Sequence, residues 1–148
     1  VYGGRLKTPP GMSDMPEYFE ESAGYYATHD SSWGKRPRPQ AGHAVFRANA
    51  AVYWRSSALK VVTDSTAHAE TAEASRATKS VVFGRMLSED ARRPVMGPTA
   101  ILGDNSASYQ LIQKAGSSQL TRYFERATTL VKYAIMELIV KPFLISTK

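Results

Sequence analysis

The sequence contains no cysteine, which excludes disulfides, thiolate metal sites and a cysteine nucleophile, so any metal would have to sit on oxygen or histidine. Histidine is scarce as well: His29, His43 and His68 share no ligand spacing. No apolar run approaches the ~20 residues that a membrane span needs, because stretches such as YAIMELIV are interrupted by charge. Acidic residues are the minority charge, 13 Asp and Glu against 19 Lys and Arg, and the resulting formal charge of +6 favours polyanionic partners without identifying one. The chain opens on Val1 in VYGG, with neither an initiator methionine nor a targeting signal. It reads as a piece of a longer polypeptide, expected in a reducing intracellular compartment, the cytoplasm or the nucleus.

What is present suits one ordinary domain, since 148 residues of which 43% are hydrophobic can build a core. Residues 1–21 are rich in Gly, Pro, Met and Glu, and Pro9-Pro10-Gly11 forbids regular structure there; they read as a tether, with the domain spanning 22–148. Ser22 to Asp30 is expected to be a strand ending at Asp30, with Tyr25, Tyr26 and Thr28 suited to a pleated surface. HAVFRANAAVYWRSS, His43 to Ser57, alternates apolar and polar residues twice, anchored by Val45 and Val52 with RANA as the turn, and completes a meander.

The pattern then changes. Asp64 to Ala91 is alanine-rich and free of proline, with Asp64, Ser65 or Thr66 able to cap a helix. Thr99 to Gly103 is a short buried-type strand, followed by Asp104-Asn105 and a small helix ending at Gly116. A further helix runs from Ser118 to Met136, with Leu120, Phe124, Ala127, Leu130, Val131 and Ile135 as its apolar stripe. ELIVKPFLIST closes as a strand broken at Pro142. This order predicts an α/β fold: a mixed sheet, made of a three-stranded antiparallel meander plus parallel strands, flanked by helices.

Three acids stand at element junctions: Asp30 after the first strand, Glu70 early in the long helix and Asp104 after the fourth strand. Neighbouring strand ends are close in space, and the start of a helix packed on the sheet can reach the same point. Carboxylates converging without thiols make an oxygen-only site suited to Mg²⁺, and two such ions can clamp the attacking and leaving oxygens of a phosphodiester. Each acid also has a plain structural use, as a turn residue or a helix-dipole partner.

The residues themselves go further. THDSSWG is similar to a signature in which Asp-x-Asp-Trp follows a first strand. GHAVFRANAAVYWRSSALKVVTDSTAHAE is similar to two following strands, a Trp-Ser-Ser segment, a lysine-containing link and a Ser-Thr-x-Ala-Glu helix start. GDNSAS resembles Cys-Asp-Asn-x-x-Ala, LTRYFE resembles a basic-His-Ile-Asp motif, and ISTK resembles Val-Pro-Thr-Lys. In this order and spacing, the chain resembles the ribonuclease H domain of copia-type LTR retrotransposon polyproteins over almost its whole length. VYGG then looks like the link from an upstream reverse-transcriptase-like region.

That resemblance implies a ribonuclease H-like fold, two Mg²⁺ (or Mn²⁺) ions held by Asp30, Glu70 and Asp104, and cleavage of RNA in an RNA–DNA hybrid. Lys35, Arg36 and Arg38, with Arg55, Lys60 and Arg122, are candidates for a phosphate track. Ser32, Gly103, Tyr123 and His68 depart from the motifs at Asp, Cys, His and Glu respectively. The family's fourth metal-binding Asp lies just beyond the stretch resembled by ISTK. A second expectation therefore stands beside the nuclease: a domesticated, inactive domain serving as a scaffold or subunit of a larger assembly. Trp33 and Trp54 are candidates for stacking on bases or, alternatively, for core and edge packing, and His29 for a proton carrier beside Asp30 or a solvated turn residue.

Overall fold

The computed structural model describes residues 24–34, 38–113 and 125–145; the tether 1–21, Lys35, Arg36 and Arg122 lie outside the described residues. The elements are β1 (Tyr26–Ser32), β2 (Gln40–Arg47), β3 (Ala50–Ala58), α1 (Thr66–Asp90), β4 (Thr99–Gly103), α2 (Ser106–Gln113), α3 (Glu125–Met136) and β5 (Val140–Leu144). They form one mixed sheet of order β3-β2-β1-β4-β5, antiparallel from β1 to β3 and parallel across β1, β4 and β5. This is the expected architecture.

The β2–β3 hairpin turns on Ala48 and Asn49, both left-handed at φ 52° and 62°, the conformation a two-residue turn matched to strand twist requires. Val52 is not an anchor. The register passes from Val45↔Tyr53 to Phe46↔Ala51, so Val52 is the extra residue of a bulge and is 56% exposed. β1 is also longer than expected: it continues to Ser32, placing Asp30 opposite Gly42 within the strand instead of at its end.

β5 runs unbroken through Pro142, which pairs with Ile101. The N–H of Ile145 donates to Gly103 O at 2.9 Å, so N–H groups at odd positions face β4. Even positions face outward on this edge strand, where a missing N–H costs no ladder bond. In α3 the buried face is Thr128, Val131 and Ala134, with Ala127, Leu130 and Ile135 at its margins; Leu120 and Phe124 lie outside the described residues.

α1 packs across the sheet through small side chains, with Ala69, Ala74 and Ala77 almost fully buried. Ser65 caps it by accepting the N–H of His68. Its weak amphipathicity follows from being covered on more than one side, and its buried hydroxyls are satisfied within the helix: Thr71 and Thr78 donate to Ala67 O at 2.7 Å and Ala74 O at 2.8 Å. Tyr25, Val45, Val81, Val95, Ile101 and Val140 fill the space between sheet and helices.

Gly84 shows how close that packing is. Glycine inside a helix ordinarily costs about 1 kcal/mol relative to alanine, but a Cβ here would lie 2.0 Å from Tyr25 Oη and 3.1 Å from its Cζ. Tyr25 is held by donating to Val81 O at 3.2 Å, and burial raises its pKa to about 12. Gly84→Ala is therefore expected to lower the melting temperature, with overpacking of about 1–3 kcal/mol outweighing the propensity gain. In a Tyr25→Phe background the loss should shrink, and equal losses in both backgrounds in thermal melts would sink this account.

Candidate metal centre

The parallel register of β1 and β4 ends at Thr28↔Leu102. Two residues further along the chain stand Asp30, within β1, and Asp104, the residue that follows β4, so the register itself brings them level. Glu70 arrives from α1, one turn in from the cap at Ser65. One oxygen from each of Asp30, Glu70 and Asp104 lies within 4.8 Å of the others. All three residues named from the sequence are thus brought together.

They are not equivalent. Glu70 is 1% exposed, and its carboxylate is held from two sides. Oε1 accepts the backbone N–H and the hydroxyl of Ser31, each at 2.8 Å, and Oε2 lies 3.2 Å from His29 Nδ1. Burial alone would push Glu70 up, but the hydrogen bonds from His29 and Ser31 outweigh it and hold its carboxyl below the ordinary range. An ionised Glu70 requires that His29 donate from Nδ1.

Asp30 and Asp104 are exposed. Desolvation at the cleft, then the charge of Glu70 and more weakly that of Asp104, raise the pKa of Asp30 against a lowering 2.8 Å bond from the Ser31 N–H. The site is therefore anionic, with its charges crowded on one another. The Asp104-Asn105 pair divides its labour: Asn105 Oδ1 accepts the Ser108 N–H at 2.8 Å and starts α2, leaving the Asp104 carboxylate for the cluster. Ser108 is tied in turn to Thr71 by a 3.0 Å hydroxyl contact, fixing α2 against α1 beside the acids.

His29 is neither a solvated turn residue nor placed on Asp30's side of the strand. Its side chain is 6% exposed and faces α1, as strand alternation requires of a neighbour of Asp30. It fits because position 103 is glycine: a Cβ there would meet His29 Cε1 at 2.7 Å and Nε2 at 2.8 Å. The sequence singles out His29 and Gly103 but not their contact with each other or with Glu70, and it leaves Ser31 out, although alternation puts His29 and Ser31 together on the face opposite Asp30.

The cleft holding the acids has a volume of about 570 Å³ and is bordered by Thr28, Ser32, Gln40, Gly42 and Ser56; among the described residues no lysine or arginine lines it. Arg38 is exposed, while Arg55 and Lys60 border a different groove. Trp33 is 47% exposed with its indole N–H donating to Thr63 O at 3.2 Å, and Trp54 is 70% exposed, so neither tryptophan is a core residue. His68 pairs with Asp64, away from the cluster. No helix among the described residues is long and apolar enough to cross a membrane.

A scan against protein families and a search of curated proteins return no match. Solved structures do match. The N-terminal RNase H domain of a Mycobacterium tuberculosis protein, solved as a fusion with maltose-binding protein, superposes with a TM-score of 0.54 at 12% identity, covering 82% of this chain and 81% of that one. LC11-RNase H1 in complex with an RNA/DNA hybrid gives 0.51 at 12% identity, covering 81% and 85%. With its mixed five-stranded sheet and packed helices, the chain has the ribonuclease H fold.

Proposed function

We propose that this chain is a ribonuclease H-type endonuclease of copia-like retroelement origin that hydrolyses the RNA strand of RNA–DNA hybrids. The observation that carries this reading is the convergence of Asp30, Glu70 and Asp104 from three separate elements of a ribonuclease H fold. The hybrid bound to LC11-RNase H1 supports the choice of substrate.

An all-carboxylate set with crowded negative charge fits a hard divalent ion, Mg²⁺ or Mn²⁺, and two ions suit in-line phosphoryl displacement. Asp30, Glu70 and Asp104 would hold them, and the ions, when bound, supply an activated water and stabilise the leaving 3′ oxygen. Glu70 is the fixed member, already ionised and oriented by Ser31 and His29. Asp30 and Asp104 are the exposed members facing the cleft that the scissile phosphate enters. Ser32, Gln40 and Ser56 border it with hydroxyl and amide groups, which suits recognition of backbone shape and 2′-hydroxyls rather than base sequence.

A second reading, a domain kept as a scaffold with its chemistry lost, is favoured by one observation: both oxygens of Glu70 have protein hydrogen-bond partners, His29 and Ser31. Labelled RNA–DNA hybrid, duplex RNA and duplex DNA, each incubated with Mg²⁺, Mn²⁺ or chelator, separate the two. The expected result is cutting of the RNA strand of the hybrid alone, abolished by chelator. A well-folded sample that leaves the hybrid intact with both metals overturns the nuclease and favours the scaffold.

A further inference from the structure

Across the sheet edge from the acid cleft runs a groove of about 930 Å³ between the β3–α1 link, the middle of α1 and the start of α3. Arg55, Lys60, Lys79 and Arg126 line it, all exposed, and among the described residues none of them forms an ion pair. A fifth cation, Arg76, projects at its floor. The acid beneath is Glu73, which is fully buried and consumed: Oε1 accepts from His43 Nδ1 at 2.6 Å and Oε2 from Arg76 at 2.9 Å. Arg76 also donates to Ser57 Oγ at 2.6 Å, and Ser80 Oγ lies 2.8 Å from His43 Nε2. The floor is a built polar network that fixes one cation and offers no free carboxylate to the other four.

Cations gathered in one concavity repel one another unless an anion enters it. Besides apolar side chains such as Leu59, Val61 and Leu130, the lining sets these cations among the hydroxyls of Ser57, Ser75 and Ser80, and cations with hydroxyls are the groups that contact phosphate oxygens. The position of the groove selects a polymer over a compact anion. Along β3, Ser56 borders the acid cleft while Arg55 and Ser57 border the groove, so the two sites lie on opposite faces of an exposed edge strand. Trp54, 70% exposed and on the same face of that edge strand as Ser56, offers a stacking surface on the cleft side of the edge.

We propose that this groove is a second site for a nucleic-acid phosphate backbone, in which Arg55, Lys60, Lys79 and Arg126 hold a strand that passes around the β3 edge from the acid cleft. The proposal rests on the nucleic-acid half of the reading above and is independent of the cleavage half.

The test is anisotropy of a labelled RNA–DNA hybrid over a NaCl series in chelator, comparing wild type with the double variant Lys79→Glu/Arg126→Glu. Arg93→Glu, an exposed change just beyond the other end of α1, is the control. Losing two phosphate contacts should weaken binding about tenfold or more and reduce the slope of log affinity against log salt by about 2, at about 0.9 per contact. Arg93→Glu should match wild type. Lys79→Gln/Arg126→Gln, which neutralises without reversing charge, should show the same slope change and covers the case in which the double glutamate variant melts early. Unchanged affinity and slope in a folded double variant overturn the groove. Cleavage measured alongside keeps the readings apart: a reduced slope without cleavage by wild type leaves the groove standing and removes the nuclease. Cleavage with an unaltered slope does the reverse.

Discussion

Replacing Asp30 with asparagine should abolish cleavage of the hybrid and, in the metal-free protein, raise the melting temperature at neutral pH. The two effects have one cause. Asp30 is a candidate ligand crowded by Glu70 and Asp104, and desolvation together with those charges raises its pKa in the fold. A carboxyl whose folded pKa lies above its unfolded value disfavours folding once it is ionised: the penalty is absent below the ordinary value of 3.8 and grows as pH rises through the folded value. Asparagine keeps the shape and removes the charge. Its stabilisation should therefore be present at pH 7 and vanish when both proteins are melted near pH 3, and exposure of Asp30 to solvent keeps it small. Activity should fall by at least the order of 10²–10³-fold that accompanies loss of one transition-state stabiliser. With saturating Mn²⁺ the order of melting temperatures should reverse, because wild type gains binding energy that the variant lacks. A variant that melts below wild type in chelator at pH 7 would mean that Asp30 is structural.

How much of this was legible in the sequence depends on what each residue's role requires. β4 and α1 are readable because a short buried apolar run and a long proline-free alanine stretch have few alternatives, and Asp30, Glu70 and Asp104 are readable because each stands at an element junction inside a resembled motif. Val52 was not, because a bulge is a property of the pairing with Phe46, and no local pattern in β3 announces it. Pro142 misled for a similar reason: whether a proline breaks a strand depends on which side its missing N–H faces, which is settled by β5 lying at the sheet edge. Of the candidate phosphate-track residues, Lys35, Arg36 and Arg38 are close to Asp30 along the chain, and chain position says nothing of where Arg55 and Lys60 lie relative to it. Strand alternation instead sends Arg55 to the face opposite the acids, where it meets Lys79 and Arg126 from two helices.

The departure at Gly103 is the most informative of these, because it is paired with His29. In the resembled motif a side chain occupies position 103, whereas here the imidazole of His29 fills that space and reaches Glu70. Gly103→Ala is expected to break this arrangement. The new Cβ would stand 2.7 Å from Cε1 of the ring, and the 3.2 Å contact from Nδ1 to Glu70 Oε2 has little slack to absorb a tilt. Glu70 would keep its Ser31 bonds on Oε1 and lose the partner that orients Oε2. Hydrogen-bond partners of ligating groups typically contribute about 10–100-fold to metal affinity, so Mn²⁺ binding measured calorimetrically should weaken by that factor while the secondary structure by circular dichroism is retained. The decisive comparison is a double-mutant cycle. If His29 carries the effect, Gly103→Ala should add almost nothing in a His29→Ala background, where there is no ring to displace. Additive losses would show that Gly103 acts on β4 itself, and wild-type Mn²⁺ affinity in Gly103→Ala would remove His29 from the site altogether.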